Sequence, residues 1–148
     1  MRTSDDLVVI HPGEGKRYGH ILQLVEAKET DGRWGAAMVE GARGAGGAWT
    51  HLHRGEAEGL FILEGELDLC GAETVTKIGP GTFVLVPAGV EHTLLVSSET
   101  ARWLAIWPAA LDGLQEELEQ AAQEGRKDPE VAVRLRAEHG MEPGRRLG

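Results

Sequence analysis

The stretch that decides the fold is HLHRGEAEGLFILEG at residues 51–65. His51 and His53 are two residues apart in a β-prone segment, so their side chains leave the same face of one strand and can converge on one point. The polar residues at 54–57 favour a turn, and Glu58 opens a second segment that can run antiparallel beside the first. The stretch therefore predicts two neighbouring strands that bring two imidazoles and a carboxylate together.

The sequence around this stretch is a succession of short β-prone segments, from about residue 7 to 107, broken by glycine, proline and charged residues. Such a pattern is typical of an all-β sandwich or barrel, and we expect nine or ten strands within residues 1–108. The expected strands are LVVI at 7–10, RYGHILQLVEAK at 17–28, WGAAMVE at 34–40, GGAWTHLH at 46–53, EGLFILE at 58–64, ELDLC at 66–70, TVTKI at 74–78, TFVLVP at 82–87, EHTLLV at 91–96 and ARWLAIW at 101–107.

The pattern changes to a helical period after Pro108. One face of a first helix carries the apolar residues Leu111, Leu114, Leu118 and Ala121. Gly125 is its expected end, Asp128 and Pro129 can begin a second helix, and Gly140 can end it. Residues 109–148 are therefore expected to form a short α-helical tail that packs on the barrel or on a partner subunit.

Composition limits the partners and the compartment. Acidic residues outnumber basic ones by 24 to 15, and the resulting net charge of −9 argues against nucleic acid and anionic membrane as partners. Cys70 is the single cysteine, so the chain has no internal disulfide. We expect a cytoplasmic protein, and the β edges and apolar tail suggest a homodimer.

A third histidine completes the candidate metal site. His92 begins the segment EHTLLV after the turn at 87–89, which lets a later strand return next to His51 and His53. Three imidazoles and one carboxylate suit a divalent ion of Fe, Mn, Ni, Co or Zn and leave two coordination positions open in a six-coordinate shell. Glu56 is a rival for the carboxylate, because the turn HRGEAE contains both acids.

The remaining histidines are interpreted as ordinary surface or core residues, since an isolated histidine in a β protein seldom binds a metal. They are His11, His20 and His139.

These residues resemble the two sequence motifs of the cupin superfamily. The first motif is matched by His51, His53, Glu58 and Gly65, with its opening glycine displaced to one side of Ala45. The second is matched by Gly81, Pro87, Gly89 and His92, while Val96 stands where the family has asparagine. Val96 puts little in doubt, because that asparagine is not a metal ligand in the family. The ending RLRAEHGME is also similar to that of cupins related to the quercetin dioxygenases.

The resemblance implies a cupin jelly-roll barrel, a double-stranded β-helix, with one divalent transition metal ion near one mouth. It implies His51, His53, Glu58 and His92 as metal ligands, and Glu58 as a catalytic residue that also takes a substrate proton.

Strand parity predicts the apolar wall of the pocket. Trp49 shares parity with His51, Leu60 and Ile62 share it with Glu58, and Leu94 shares it with His92. Phe83 and Met38, with Trp34 and Trp103, are further candidates whose parity the sequence does not fix.

Three functions are compatible with such a site. The first is a dioxygenase-like oxidoreductase acting on a small phenolic or enolisable substrate that chelates the metal. The second is a redox-silent isomerase or polyketide cyclase that uses the ion as a Lewis acid. The third is a non-catalytic module that binds or senses a small molecule. We rank them in this order, since a fold alone does not select a function.

Overall fold

The computed structural model describes residues 7–47 and 49–147. Within them the chain forms eleven strands and two α-helices. The strands are β1 (Lys16–Tyr18), β2 (Ile21–Val25), β3 (Trp34–Ala42), β4 (Trp49–His53), β5 (Glu58–Glu64), β6 (Leu67–Cys70), β7 (Val75–Ile78), β8 (Phe83–Val86), β9 (Thr93–Val96), β10 (Thr100–Pro108) and β11 (Met141–Arg146). The helices are α1 (Leu114–Gln123) and α2 (Pro129–Glu138), and short 3-10 turns occupy Ala27–Thr30 and Ala109–Leu111.

Antiparallel sheets form the barrel. One wall is six-stranded in the order β1-β2-β3-β10-β5-β8. The other wall consists of β7-β6-β9 and β11-β4, which an antiparallel bridge between His51 and His92 joins together. The predicted all-β jelly-roll fold with a short helical tail is confirmed.

The core lies between the two walls and follows the alternation of the strands. Along β5, Glu58, Leu60 and Ile62 are buried, whereas Phe61 lies on the other face of the sheet and is exposed. Leu67 of the opposite wall is fully buried against this core, as is Ile62. The alternation thus directs the acidic side chain of Glu58 into the barrel on the same face as two apolar residues.

The tail packs on the barrel of its own chain. Leu111 and Leu114 belong to the main apolar core, and Ala121 is also buried. The predicted ends of the helices agree with the structure: Pro129 is the first residue of α2, and Gly125 and Gly140 follow the helices with the left-handed φ values of 79° and 75° that glycine adopts freely.

Four local expectations were wrong. Residues 7–10 form no strand, and the segment 17–28 is divided into β1 and β2 by a turn at Gly19 and then a 3-10 turn. The tail contains a strand, β11, which the sequence did not predict. Strands β4 and β5 are not paired, because residues 54–57 cross from one wall to the other and β5 pairs with β10 and β8.

Across the described residues, no helix has both the length and the apolar composition required to span a bilayer.

Candidate metal centre

The backbone brings His51 and His92 together. The amide N–H of each donates to the carbonyl of the other, and both N–O distances are 2.9 Å. Residues that face each other directly across an antiparallel bridge present their side chains on the same face of the sheet. The two imidazoles accordingly lie side by side, with ring centroids 4.4 Å apart.

His53 and Glu58 complete the cluster from the two walls. His53 is two residues beyond His51 on β4 and is buried, with its ring centroid 5.1 Å from that of His51. Glu58 enters from the opposite wall, at the start of β5. Its Oε1 lies 3.2 Å from Nε2 of His92, and its Oε2 lies 3.3 Å from Nε2 of His53.

The donor atoms of this cluster fit a divalent metal ion. One ligand nitrogen from each of His51, His53 and His92 lies within 4.8 Å of the other two. Both ring nitrogens of His53 are buried without a hydrogen-bond partner. Such burial is costly unless one of these nitrogens donates its lone pair to another group, such as a metal ion. Borderline nitrogen donors beside a carboxylate are the set preferred by late first-row divalent ions.

Burial and mutual contacts set the charges of the cluster. Burial, reinforced by the neighbouring His92, lowers the pKa of His51 to about 3, so this imidazole is neutral and its lone pair is available. Burial alone would raise the pKa of Glu58, but its close contacts with His53 and His92 outweigh this and hold the pKa well below its usual range. Glu58 is therefore a carboxylate.

The tautomer of His92 favours metal binding through Nε2. Its Nδ1 lies 3.0 Å from the carbonyl oxygen of Val90, which can only accept, so Nδ1 carries a proton. Burial lowers the pKa of His92, but contact with Glu58 outweighs this and raises it. A metal ion that binds Nε2 therefore competes with a proton for that nitrogen.

Glu56 has a different environment. Its Oε2 accepts a hydrogen bond of 2.7 Å from the N–H of Ala109, and its Oε1 accepts one of 3.3 Å from the N–H of Ala110. It therefore fastens the turn before β5 to the segment that leads into the tail. Of the two rival carboxylates, the structure brings only Glu58 to the histidines, and its role as a ligand stays a prediction.

A cavity of about 290 Å3 lies over the cluster. Leu60 and Leu94 line it as predicted, together with Trp103, whereas Ile62 is fully buried in the core below. Trp49 is 53% exposed and borders an adjacent groove instead. Its position at the outer end of β4 explains the difference.

Phe83 and Met38 lie on the outer face of the six-stranded wall, contrary to their predicted place in the pocket. Phe83 pairs with Phe61 and is 60% exposed. Met38 pairs with Leu104, while its neighbour Val39 takes the inner position. Both lie in uninterrupted apolar segments, in which an alternating pattern is absent and the sequence does not reveal the buried face.

Sequence reasoning missed the contribution of the tail to the cavity. Leu114, Gln115 and Leu118 of α1 line it, as do Arg136 of α2 and Met141 of β11. The apolar stripe of α1 was a usable signal, since it had to cover something. No pattern in the sequence distinguished Arg136 from the other arginines of the tail.

A model of the cupin domain matches residues 37–107, a range that includes all four clustered residues. The match covers just under half of the chain and supports the resemblance to the cupin superfamily. Quercetin 2,3-dioxygenase of Bacillus subtilis (strain 168) is 28% identical over 102 residues, which is 66% of this chain. Those residues span only 30% of that enzyme, so they correspond to a part of it.

Solved structures of proteins with different activities share the fold of this chain. A polyketide cyclase from Streptomyces resistomycificus is 19% identical with a TM-score of 0.59, and the match covers 70% of this chain and 80% of the cyclase. A sugar phosphate isomerase of the cupin superfamily from Silicibacter pomeroyi is 20% identical with a TM-score of 0.51, over 72% of this chain and 73% of the isomerase. At these identities the similarity establishes the fold alone.

Proposed function

We propose that this protein is a metal-dependent oxidoreductase of the dioxygenase type, acting on a small phenolic or enolisable substrate that chelates the metal. The observation that carries the proposal is the buried cluster of three histidines and Glu58 beneath an apolar cavity. The partial match to a quercetin dioxygenase supports the choice of reaction.

The residues of the cluster would have different roles. His51, His53 and His92 would hold the ion, and Glu58 would bind it or act as a base. A bound divalent transition metal supplies Lewis-acid and, depending on the element, redox chemistry at open coordination positions. Glu58 is ionised and lies beside the three imidazoles, so it is in the form that would bind the ion or take up a substrate proton.

Apolar side chains line much of the cavity beside the cluster. Leu60 and Leu94 cover it from the two walls of the barrel, and Leu114 and Leu118 cover it from α1. An apolar enclosure strengthens the electrostatic interactions of the few polar groups inside and protects reactive species from hydrolysis.

Oxygen uptake tests the proposal. Protein loaded separately with Fe, Mn, Ni, Co or Zn is offered flavonols, catechols and β-diketones in an oxygen electrode, with the His53→Ala variant as control. We expect uptake with at least one metal and substrate class and none in the variant. No uptake by fully loaded protein across this panel contradicts the proposed reaction.

A redox-silent isomerase or cyclase is the second candidate. It is favoured by the ionised state of Glu58, because a carboxylate base and a Lewis acid suffice for enolisation without oxygen. Substrate turnover that is unchanged under strict anaerobiosis selects this candidate over the first. Tight binding without turnover indicates a module that only binds its ligand.

We also propose a homodimer formed through the outer face of the six-stranded wall. Two rows of residues cross β3, β10, β5 and β8 there and contain no charged side chain; they are Met38, Leu104, Phe61 and Phe83, then Ala36, Ile106, Gly59 and Leu85. A two-fold interface places this surface against its own copy, so a charge-free patch suits a chain whose net charge is −9. The cytoplasm remains our proposed location for it.

A further inference from the structure

A second cavity adjoins the candidate metal centre. It has a volume of about 530 Å3 and lies between β4, β11 and α2. Its wall is largely apolar and includes Trp49, Val133 and Pro143. The two cavities lie side by side, because the residues that line both of them are Gly46, His51, Arg136 and Met141.

Helix α2 directs one cation to the junction of the two cavities. Pro129, Val133 and Arg136 are spaced by four and three residues, so they share one face of the helix, and all three line the second cavity. Among the described residues, Arg136 is the one lysine or arginine that lines the metal cavity.

The guanidinium of Arg136 has no partner within the part of the chain that the structure describes, either as an ion pair or as a side-chain hydrogen bond. The acidic residue that lines the second cavity, Glu142, is instead paired with Arg54 at 3.1 Å. Arg136 is exposed, and the junction therefore presents its unpaired positive charge to a ligand between an apolar groove and the histidine cluster.

We propose that Arg136 binds the carboxylate of an aromatic or alicyclic acid, whose ring lies against Trp49 and Val133 in the second cavity. A guanidinium recognises a carboxylate through two parallel hydrogen bonds, and a flat apolar ring matches the indole and the valine side chain. A phosphate or a polyanion needs several cationic side chains, so a single arginine in a strongly acidic chain is a weak site for either. The inference assigns a substrate class and rests on the proposed function of the metal cavity.

A matched pair of probes tests this inference on metal-free protein, so that the ion itself cannot bind the carboxylate. Isothermal titration calorimetry compares 2-naphthoate with the neutral 2-naphthamide. The wild type is measured beside Arg136→Gln, Arg136→Lys and the control Arg134→Gln, which removes an exposed arginine of the same helix that lines neither cavity. Thermal melts check that every variant is folded.

We expect the wild type and Arg134→Gln to bind 2-naphthoate about tenfold more tightly than 2-naphthamide, the difference expected from one charge-assisted interaction. Arg136→Gln should abolish this preference, and Arg136→Lys should keep part of it. Trp49→Ala should weaken both probes to a similar degree, because it removes the contact with the ring.

The inference is overturned if neither probe binds, if the wild type shows no preference for the carboxylate, or if the preference survives in Arg136→Gln. These outcomes are independent of the reaction. A preference that depends on Arg136, in a protein that consumes no oxygen, refutes the proposed function and leaves the inference intact.

Discussion

Both faces of the six-stranded wall carry large apolar side chains, but what covers those side chains differs between the faces. On the inner face, Leu60 and Ile62 of β5 are closed in by the second wall and by α1. On the outer face, Phe61 and Phe83 remain exposed to 37% and 60%. Hydrophobicity alone therefore does not locate the site, and the difference between the faces lies in what covers them.

Removal of apolar volume from the inner face should have the largest effect. Ile62 is fully buried, so Ile62→Ala should lower the free energy of unfolding by about 2–5 kcal/mol through lost burial and an unfilled cavity. Leu85→Ala on the outer face is 65% exposed in the wild type and should change it by less than about 0.5 kcal/mol. Chemical denaturation of both variants in a Phe83→Glu background, where association does not contribute, makes the comparison. Equal losses would contradict the assigned faces.

Removal of the bound metal should lower the thermal stability of the protein through the cluster inside the barrel. A ligand at a hundredfold excess over its Kd stabilises the folded state by about 2.7 kcal/mol, so chelation should lower the Tm of the loaded protein by several degrees. His53→Ala should show no such metal-dependent shift, whereas His11→Ala, in an exposed segment outside the cluster, should retain it. Differential scanning calorimetry with and without added metal is the measurement. A chelator effect that persists in His53→Ala would place the ion elsewhere.

Substitutions of the two rival carboxylates should have different effects on metal binding and on stability. Glu58→Gln should weaken metal binding strongly, because a neutral amide replaces an ionised ligand or its electrostatic support. Glu56→Gln should leave metal content unchanged and cost about 1 kcal/mol of stability, since it weakens the contacts with the N–H groups of Ala109 and Ala110. Elemental analysis and thermal denaturation report the two effects. Loss of metal in Glu56→Gln would reverse the assignment.

A substitution on the outer face should have the smallest effect on the stability of the isolated chain. Phe83→Glu places a charge in the proposed dimer interface and should convert the dimer to a monomer while metal content stays the same. Val75→Glu is the control, because Val75 is 63% exposed in the other wall and is not part of the charge-free patch. Light scattering coupled to gel filtration gives the mass. A wild type that is monomeric at every concentration excludes the dimer.

The sequence predicted the parts of the molecule whose information is local. The spacing of His51 and His53 on one strand and the helix start at Asp128 and Pro129 agree with the structure. These features depend on alternation and capping, which act over a few residues.

The parts that were missed depend on long-range pairing. Nothing in residues 54–57 distinguishes a turn within a sheet from a crossing between sheets, so β4 and β5 were wrongly expected to be neighbours. The segment FVLV at 83–86 is apolar on both faces and left Phe83 unassigned. Strand β11 contains Pro143 and Gly144, which oppose a strand locally, and it forms by pairing with β4.

That pairing has a consequence for the order of events during synthesis. Strand β4, which carries His51 and His53, is flanked by the bridge to His92 on one side and by β11 on the other. During synthesis β4 leaves the ribosome early, whereas β11 leaves it after all the other described strands. Until β11 emerges, the strand that bears two candidate ligands has an open edge capable of pairing with another chain. The nascent protein is therefore expected to be prone to aggregation beside the candidate metal centre until the tail covers this edge.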